Sequence, residues 1–328
     1  MDKLKAFANP FYRASSAEIL LFFAGWGIWW SFFQIWLTST QGFSGSQIGT
    51  IYTFGSAVSL VLMFVYGSIQ DKLGLKKYLM YFQVGCQVLL APFFTWVYVP
   101  MLEANFYVGA MIGAVYLSVA YLAAYPVFEA VTERLSRRYS FEYGQARAWG
   151  SFGYAISALS AGFLFTINPY LVFWTGSTVS LVLLLILLFV HPEKNDAVRN
   201  KYESKTESDK DNKSPSFAEI IGVFKILDVW KIIIFIIISW NFYTVFDQQM
   251  FPHFFTQFFA TPEEGQQAYG VLNSVQVFLE FLMMGVVPVV MKKIGVRKVI
   301  LLGCMIMLVR IGGFCLVTKP PGVARVNL

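Results

Sequence analysis

The chain has 328 residues, 57% of them hydrophobic and 18% aromatic against only 13% charged, with a formal net charge of +6. A water-soluble core of this size cannot hide so much apolar surface, and a mean hydropathy of +0.58 points the same way. The composition excludes an ordinary soluble domain and predicts an integral membrane protein. The positive balance sits in loops between apolar runs, so it suits anionic lipid and argues against a nucleic-acid partner.

In chain order, the basic opening segment has no A-x-A cleavage site after the first apolar run, so that run is expected to stay as a helix. About nine apolar runs of spanning length follow, near 17–38, 47–69, 78–99, 106–130, 146–167, 170–190, 229–250, 266–290 and 299–317. Lys3, Lys5, Arg13, Lys72, Lys76, Lys77, Arg134, Arg137, Arg138, Lys292, Lys293, Arg297 and Lys298 all fall on one set of alternating loops. The other set has no Lys or Arg, which predicts a cytoplasmic amino terminus in a cell (plasma or inner) membrane.

The charged, apolar-poor stretch 191–216 reads as a solvated cytoplasmic linker. It divides an N-terminal six-helix bundle, 1–190, from a partial C-terminal bundle of three helices, 217–318, with an atypical tail at 319–328. Residues 217–227 read as an amphipathic helix at the inner membrane face or as an extension of the next span. The fold class is therefore an all-α membrane protein. A repeat joins its parts: Gly67 to Lys77 after the second run and Pro288 to Lys298 after the eighth both combine a helix end, basic residues, a Gly and two further basics. Such a repeat implies parallel duplication about an axis along the membrane normal.

A charge inside hydrocarbon is costly, so an intramembrane ionisable residue reads by default as part of a polar pathway. Glu129 and Arg147 lie in successive runs joined by a short loop. They fit either a structural salt bridge or a clamp on the vicinal hydroxyls of a sugar, for which a guanidinium supplies a planar fork of donors and a carboxylate supplies acceptors. Ser151 and Tyr154 follow Arg147 on the same helical face, where an aromatic plate could meet a pyranose ring. Asp247 sits beside Gln248 and Gln249, and Glu280 lies mid-run with Gln276 one turn earlier. Glu280 must be protonated or paired, and either state suits a proton-coupled carrier. Arg310 is a candidate partner for one of these acids. Glu18, at the start of the first run, is expected to reach the surface. Gly67, Asp71, Lys72 and Gly74 fit a conformational latch at a cytoplasmic hinge or, alternatively, a topology determinant. No catalytic nucleophile, base or metal constellation is visible, no Walker-type loop occurs, and His191 and His253 are isolated. Cys86, Cys304 and Cys315 read as packing residues.

At Asp71–Lys77, Phe141–Tyr154, Val245–Gln249 and Leu308–Arg310 the chain resembles the oligosaccharide:proton symporters of the major facilitator superfamily, the lactose, raffinose and sucrose permeases. That resemblance implies a major facilitator fold, alternating access, a small-molecule sugar and protons as partners alongside membrane lipid, and a monomer that needs no cofactor beyond the proton gradient. It makes Glu129 and Arg147 the principal sugar ligands, Tyr154 the stacking aromatic, and Asp247 and Arg310 part of the network coupling proton to sugar, with Tyr243 joining by position. Ser151, Tyr154, Trp26, Trp30, Gln276 and Glu280 look like the sucrose-permease branch, which implies sucrose or a related α-linked disaccharide. Tyr125 stands where a smaller residue is usual and is expected to narrow the pocket. Family members have twelve helices, whereas this chain turns after Thr318 into a Pro-Gly segment. The expectation is a C-terminally truncated product, without the His and Glu that helix ten normally carries. A non-transporting sugar sensor and an inactive fragment are the alternatives.

Overall fold

A computed structural model describes residues 7–203, 222 and 225–316. Its regular elements are helices: α1 Pro10–Ile35, α2 Gly45–Leu73, α3 Tyr78–Val88, α4 Leu90–Phe93, α5 Val99–Ala104, α6 Phe106–Leu117, α7 Tyr125–Arg138, α8 Tyr143–Ile167, α9 Leu171–Phe189, α10 Asp196–Tyr202, α11 Leu227–Thr244, α12 Phe251–Thr256, α13 Pro262–Ile294 and α14 Val296–Leu316. Among the described residues there are five helices long and apolar enough to cross a membrane, or six if the bent pair α3 and α4–α5 counts as one span. The three further expected spans fall on α11 with the π-helical turn Val245–Met250, on α13 and on α14. The more polar α13 carries Glu263, Glu264, Glu280, Lys292 and Lys293.

Proline explains where these helices break. Pro92 has no N–H, and its ring would meet the carbonyl of Val88, the residue on which α3 ends before a 51° bend. Wide π-helical turns at Phe94–Tyr98, Ser118–Leu122 and Val245–Met250 each contain the residue four before a proline, namely Pro100, Pro126 and Pro252. The lost hydrogen bond is absorbed there by a looser turn. The repeat noted in the sequence has a structural counterpart. Gly74 and Gly295 end α2 and α13 at φ +61° and +86°, with their N–H groups bonded to Gln70 O and Met291 O. Only glycine adopts that backbone without strain, so both helices stop at the same point of the motif.

The described chain forms two compact units, 7–203 with 270–281, and 225–269 with 282–316. In the first, the spans differ in depth: 72% of the apolar window of Pro10–Thr40 is buried, against 22% for Gly45–Leu73, so α1 is central and α2 peripheral. The interior is aromatic. Phe22 stacks on Phe128 at 4.3 Å and Phe94 on Phe173 at 4.0 Å, with Trp29 and Trp36 fully buried beside them. The segment read as a solvated linker begins with a 3-10 turn, Pro192–Lys194, and α10. Tyr202 Oη donates to Ala8 O at 3.0 Å and Arg138 pairs with Glu203 at 2.9 Å, tying this stretch to the first unit. Residues 204–216, the expected amphipathic segment apart from 222 and 225–227, and the tail 319–328 lie outside the described residues.

One seam sets the position of everything near Arg147. A Cβ on Gly150 would lie 2.7 Å from Phe23 and 2.8 Å from Ile19, and one on Gly153 would lie 2.4 Å from the Leu20 carbonyl oxygen. Small residues let α8 approach α1 to backbone contact, the way helices associate where no hydrophobic force separates them from lipid. Gly153→Val is expected to lower the unfolding temperature of the detergent-purified chain, through an overpacking cost of about 1–3 kcal/mol. An unchanged melting curve would show that the seam is loose.

Candidate functional site

Glu129 sits one turn into α7, the helix that restarts after the proline-linked break at Pro126. Arg147 lies in the first turns of α8. The short loop between them turns α8 back, and Arg147 Nε donates to Glu129 Oε1 at 2.5 Å. The two side chains remain 20% and 25% exposed, so the pair is neither sealed nor fully wet. The guanidinium carbon lies 4.2 Å from the centroid of the Phe23 ring, a cation–π contact worth about 0.5–2 kcal/mol. Arg147 Nη1 is buried without a hydrogen-bond partner. The guanidinium is thus held from two sides, by the Glu129 carboxylate and by the Phe23 ring.

Along α8, Ser151 is buried and Tyr154 half-buried. The Tyr154 ring rests on Gly27 of α1, where an added Cβ would come within 2.8 Å of Cδ2. Tyr125, one turn before Glu129, stacks on Trp26 at 5.9 Å and 23°. Trp26 also touches Trp30 at 5.9 Å. An aromatic wall therefore borders the ion pair on the α1 side.

Gln276 and Glu280 lie on the part of α13 that groups with the first unit. Gly270 approaches Gly162 and Ala158, and Phe281 meets Phe152 at 5.9 Å, so this segment runs antiparallel along α8. Gln276 is half-buried and Glu280 is exposed. In the second unit, Asp247 lies within the Val245–Met250 π turn and forms an ion pair with Arg310. The Arg310 guanidinium lies 5.8 Å from the Tyr243 ring centroid. The three residues that the family resemblance groups as a coupling network come together here.

Of the latch residues, Asp71 pairs with Arg134, whose Nη1 also donates to the carbonyls of Gln70 at 3.1 Å and Gly74 at 3.4 Å. Arg134 is the part sequence reasoning missed; it was read only as one of a run of basics. Lys72 and Gly67 are exposed, and a Cβ on Gly67 would meet nothing within 4 Å. One expectation is overturned. Glu18 does not reach the surface: it is 1% exposed and paired with Lys77, itself 8% exposed, at 2.5 Å. Lys77 is the buried residue immediately before α3, and its ammonium draws the carboxylate inward. Phe23 was likewise missed, since one Phe in a Phe-rich run carries no distinguishing signal. Among the described residues no group of three or more His, Cys, Asp and Glu could hold a metal ion.

The LacY proton/sugar symporter family model matches residues 4–328. The chain belongs to that family. It is 39% identical over 322 residues to the sucrose permease of Escherichia coli, covering 98% of this chain and 75% of that protein. It is 37% identical to the lactose permease of Citrobacter freundii, covering 88% of this chain and 68% of the relative. A crystal structure of the nucleoside transporter NupG superposes with a TM-score of 0.64 at 17% identity, over 88% of this chain and 69% of that one, which shows a shared fold. The LacY family places the chain among multi-pass membrane transporters of sugar that draw on the proton gradient and use no cofactor.

The ion pair in the second unit gives a direct check. Asp247→Asn removes the carboxylate that pairs with Arg310 in a partly buried setting, where the cost lies between about 1 kcal/mol for an exposed pair and about 3–5 kcal/mol for a fully buried one. Purified Asp247→Asn protein is expected to unfold at lower temperature, and Asp247→Asn/Arg310→Gln to recover most of the difference. Equal losses in the single and double variants would show that the two charges do not support one another.

Proposed function

We propose that the chain carries a disaccharide, sucrose or a related α-linked sugar, together with protons across the cell membrane by alternating access. The observation that carries this is the Glu129–Arg147 pair, which remains about a quarter exposed inside an apolar bundle, in a chain of the proton/sugar symporter family. Here the fork can grip adjacent hydroxyls while the carboxylate accepts from them, and removal from bulk water strengthens both contacts. Ser151 and Tyr154 extend the site along α8, Tyr154 offering an aromatic face, while Gln276 and Glu280 add polar groups from α13. Tyr125 and Trp26 crowd the α1 side and favour a slim ligand.

Asp247, Arg310 and Tyr243 form the coupling network, a carboxylate whose pairing with Arg310 depends on its proton. Asp71 and Gly74, joined by Arg134, act as the cytoplasmic latch, which Lys72 and Gly67 flank. The one-sided distribution of Lys and Arg supports a cytoplasmic amino terminus. The sucrose permease relative, matched over 98% of this chain, supports sucrose within the disaccharides. A monomer containing one such site suffices for the cycle.

Membrane vesicles expressing the chain are expected to accumulate labelled sucrose under an inward proton gradient and to stop when the gradient is collapsed. Among unlabelled competitors, sucrose is expected to outcompete lactose, melibiose, raffinose and maltose. Sucrose binding without gradient-driven accumulation would instead indicate a sugar sensor.

A further inference from the structure

The Glu18–Lys77 pair has no part in the site just described, and its placement is unusual. Among the described residues it is the ion pair in which both side chains are under one-tenth exposed. Apolar residues of similar volume often serve stability as well as a buried ion pair or better, so burial of two charges calls for a role in geometry. Lys77 stands at the N-terminus of α3 with no side-chain cap there. A cation at that end opposes the helix dipole, so the Glu18 carboxylate offsets an ammonium that would otherwise be unfavourable there.

The same stretch of α1 is held from its other side. Residues 19 and 20 press on the glycines of α8, and Phe23, little more than a turn beyond Glu18, carries the Arg147 guanidinium on its ring. We propose that Glu18 and Lys77 are positioning residues for Arg147: they fix residues 19–23 of α1 against the α8 seam and so fix the aromatic surface on which the guanidinium rests. A packed helix transmits a displacement at Glu18 to Phe23 with little loss, and binding groups misplaced by a fraction of an ångström lose their ligand geometry. The effect on sugar rests on the function proposed above; the structural effect does not.

Hydrogen exchange on the purified full chain in detergent reads the structural effect without any sugar. Glu18→Gln is expected to speed amide exchange about tenfold in residues 143–153, which the substitution does not touch. The charge-free double variant Glu18→Gln/Lys77→Met, which leaves no buried lone cation, is expected to do the same if the single variant folds poorly. Acceleration confined to residues 15–23 and 77–84 would overturn the proposal and leave the pair a local staple. With sucrose as the transport probe, the double variant is expected to raise KM about tenfold with Vmax little changed, as loss of ground-state binding requires. An unchanged KM would overturn the positioning role. A wild-type chain that takes up no sucrose would count against the sugar reading alone, because the exchange result is obtained without it.

Discussion

A carboxylate and a guanidinium brought together within a largely apolar bundle constrain the rest of this molecule. Each charge alone would be costly in low dielectric, and together they are tolerable only if the backbone delivers them to hydrogen-bonding distance. The delivery is visible in the chain. Pro126 breaks the helix that follows α6 and restarts it as α7, which sets the register of Glu129. Gly150 and Gly153 let α8 close onto α1, which brings Arg147 over Phe23. Remove the glycines and the guanidinium loses its aromatic support; remove the proline and the carboxylate turns to another face.

The two units use similar devices. Each carries an acid–guanidinium pair, Glu129 with Arg147 and Asp247 with Arg310, near a proline-linked irregularity in its helix. Each has a helix that ends on a glycine at positive φ after a basic motif. These parallels are what a duplicated bundle should keep. Irregular backbone is expensive in lipid, so its recurrence beside charged residues marks the places where the interior is polar. The first unit adds the buried Glu18–Lys77 pair, for which the described part of the second unit shows no counterpart.

Much of this was legible in the sequence because lipid imposes simple rules. Apolar length marks the helices over 10–189, and the isolated charges mark Glu129 with Arg147 and make Arg310 a partner for an acid; the grouping of Tyr243, Asp247 and Arg310 rests on the family resemblance. What remained hidden depends on direction. Glu18 was expected at the surface because it begins a span, yet which way a helix end points is decided by Lys77, 59 residues later. Arg134 looked like one more topology charge until its side chain was seen to close on Asp71 and the carbonyls at the end of α2. Phe23 is indistinguishable by composition from its neighbours, and only the glycine seam identifies it as the ring beneath Arg147. The ordered helix α10 also escaped notice, because its charged composition matches that of a linker, and contacts such as Tyr202 to Ala8 span nearly two hundred residues.

The sharpest measurement is calorimetric titration of sucrose into the purified protein, wild type against Arg147→Lys. Lysine keeps the charge but not the planar fork, so it preserves a simple salt bridge with Glu129 and removes the two-pronged grip on a sugar. Saturable binding by the wild type and none by Arg147→Lys is the expected result. Equal affinity in the two proteins would show that the pair is structural and that the sugar is held elsewhere.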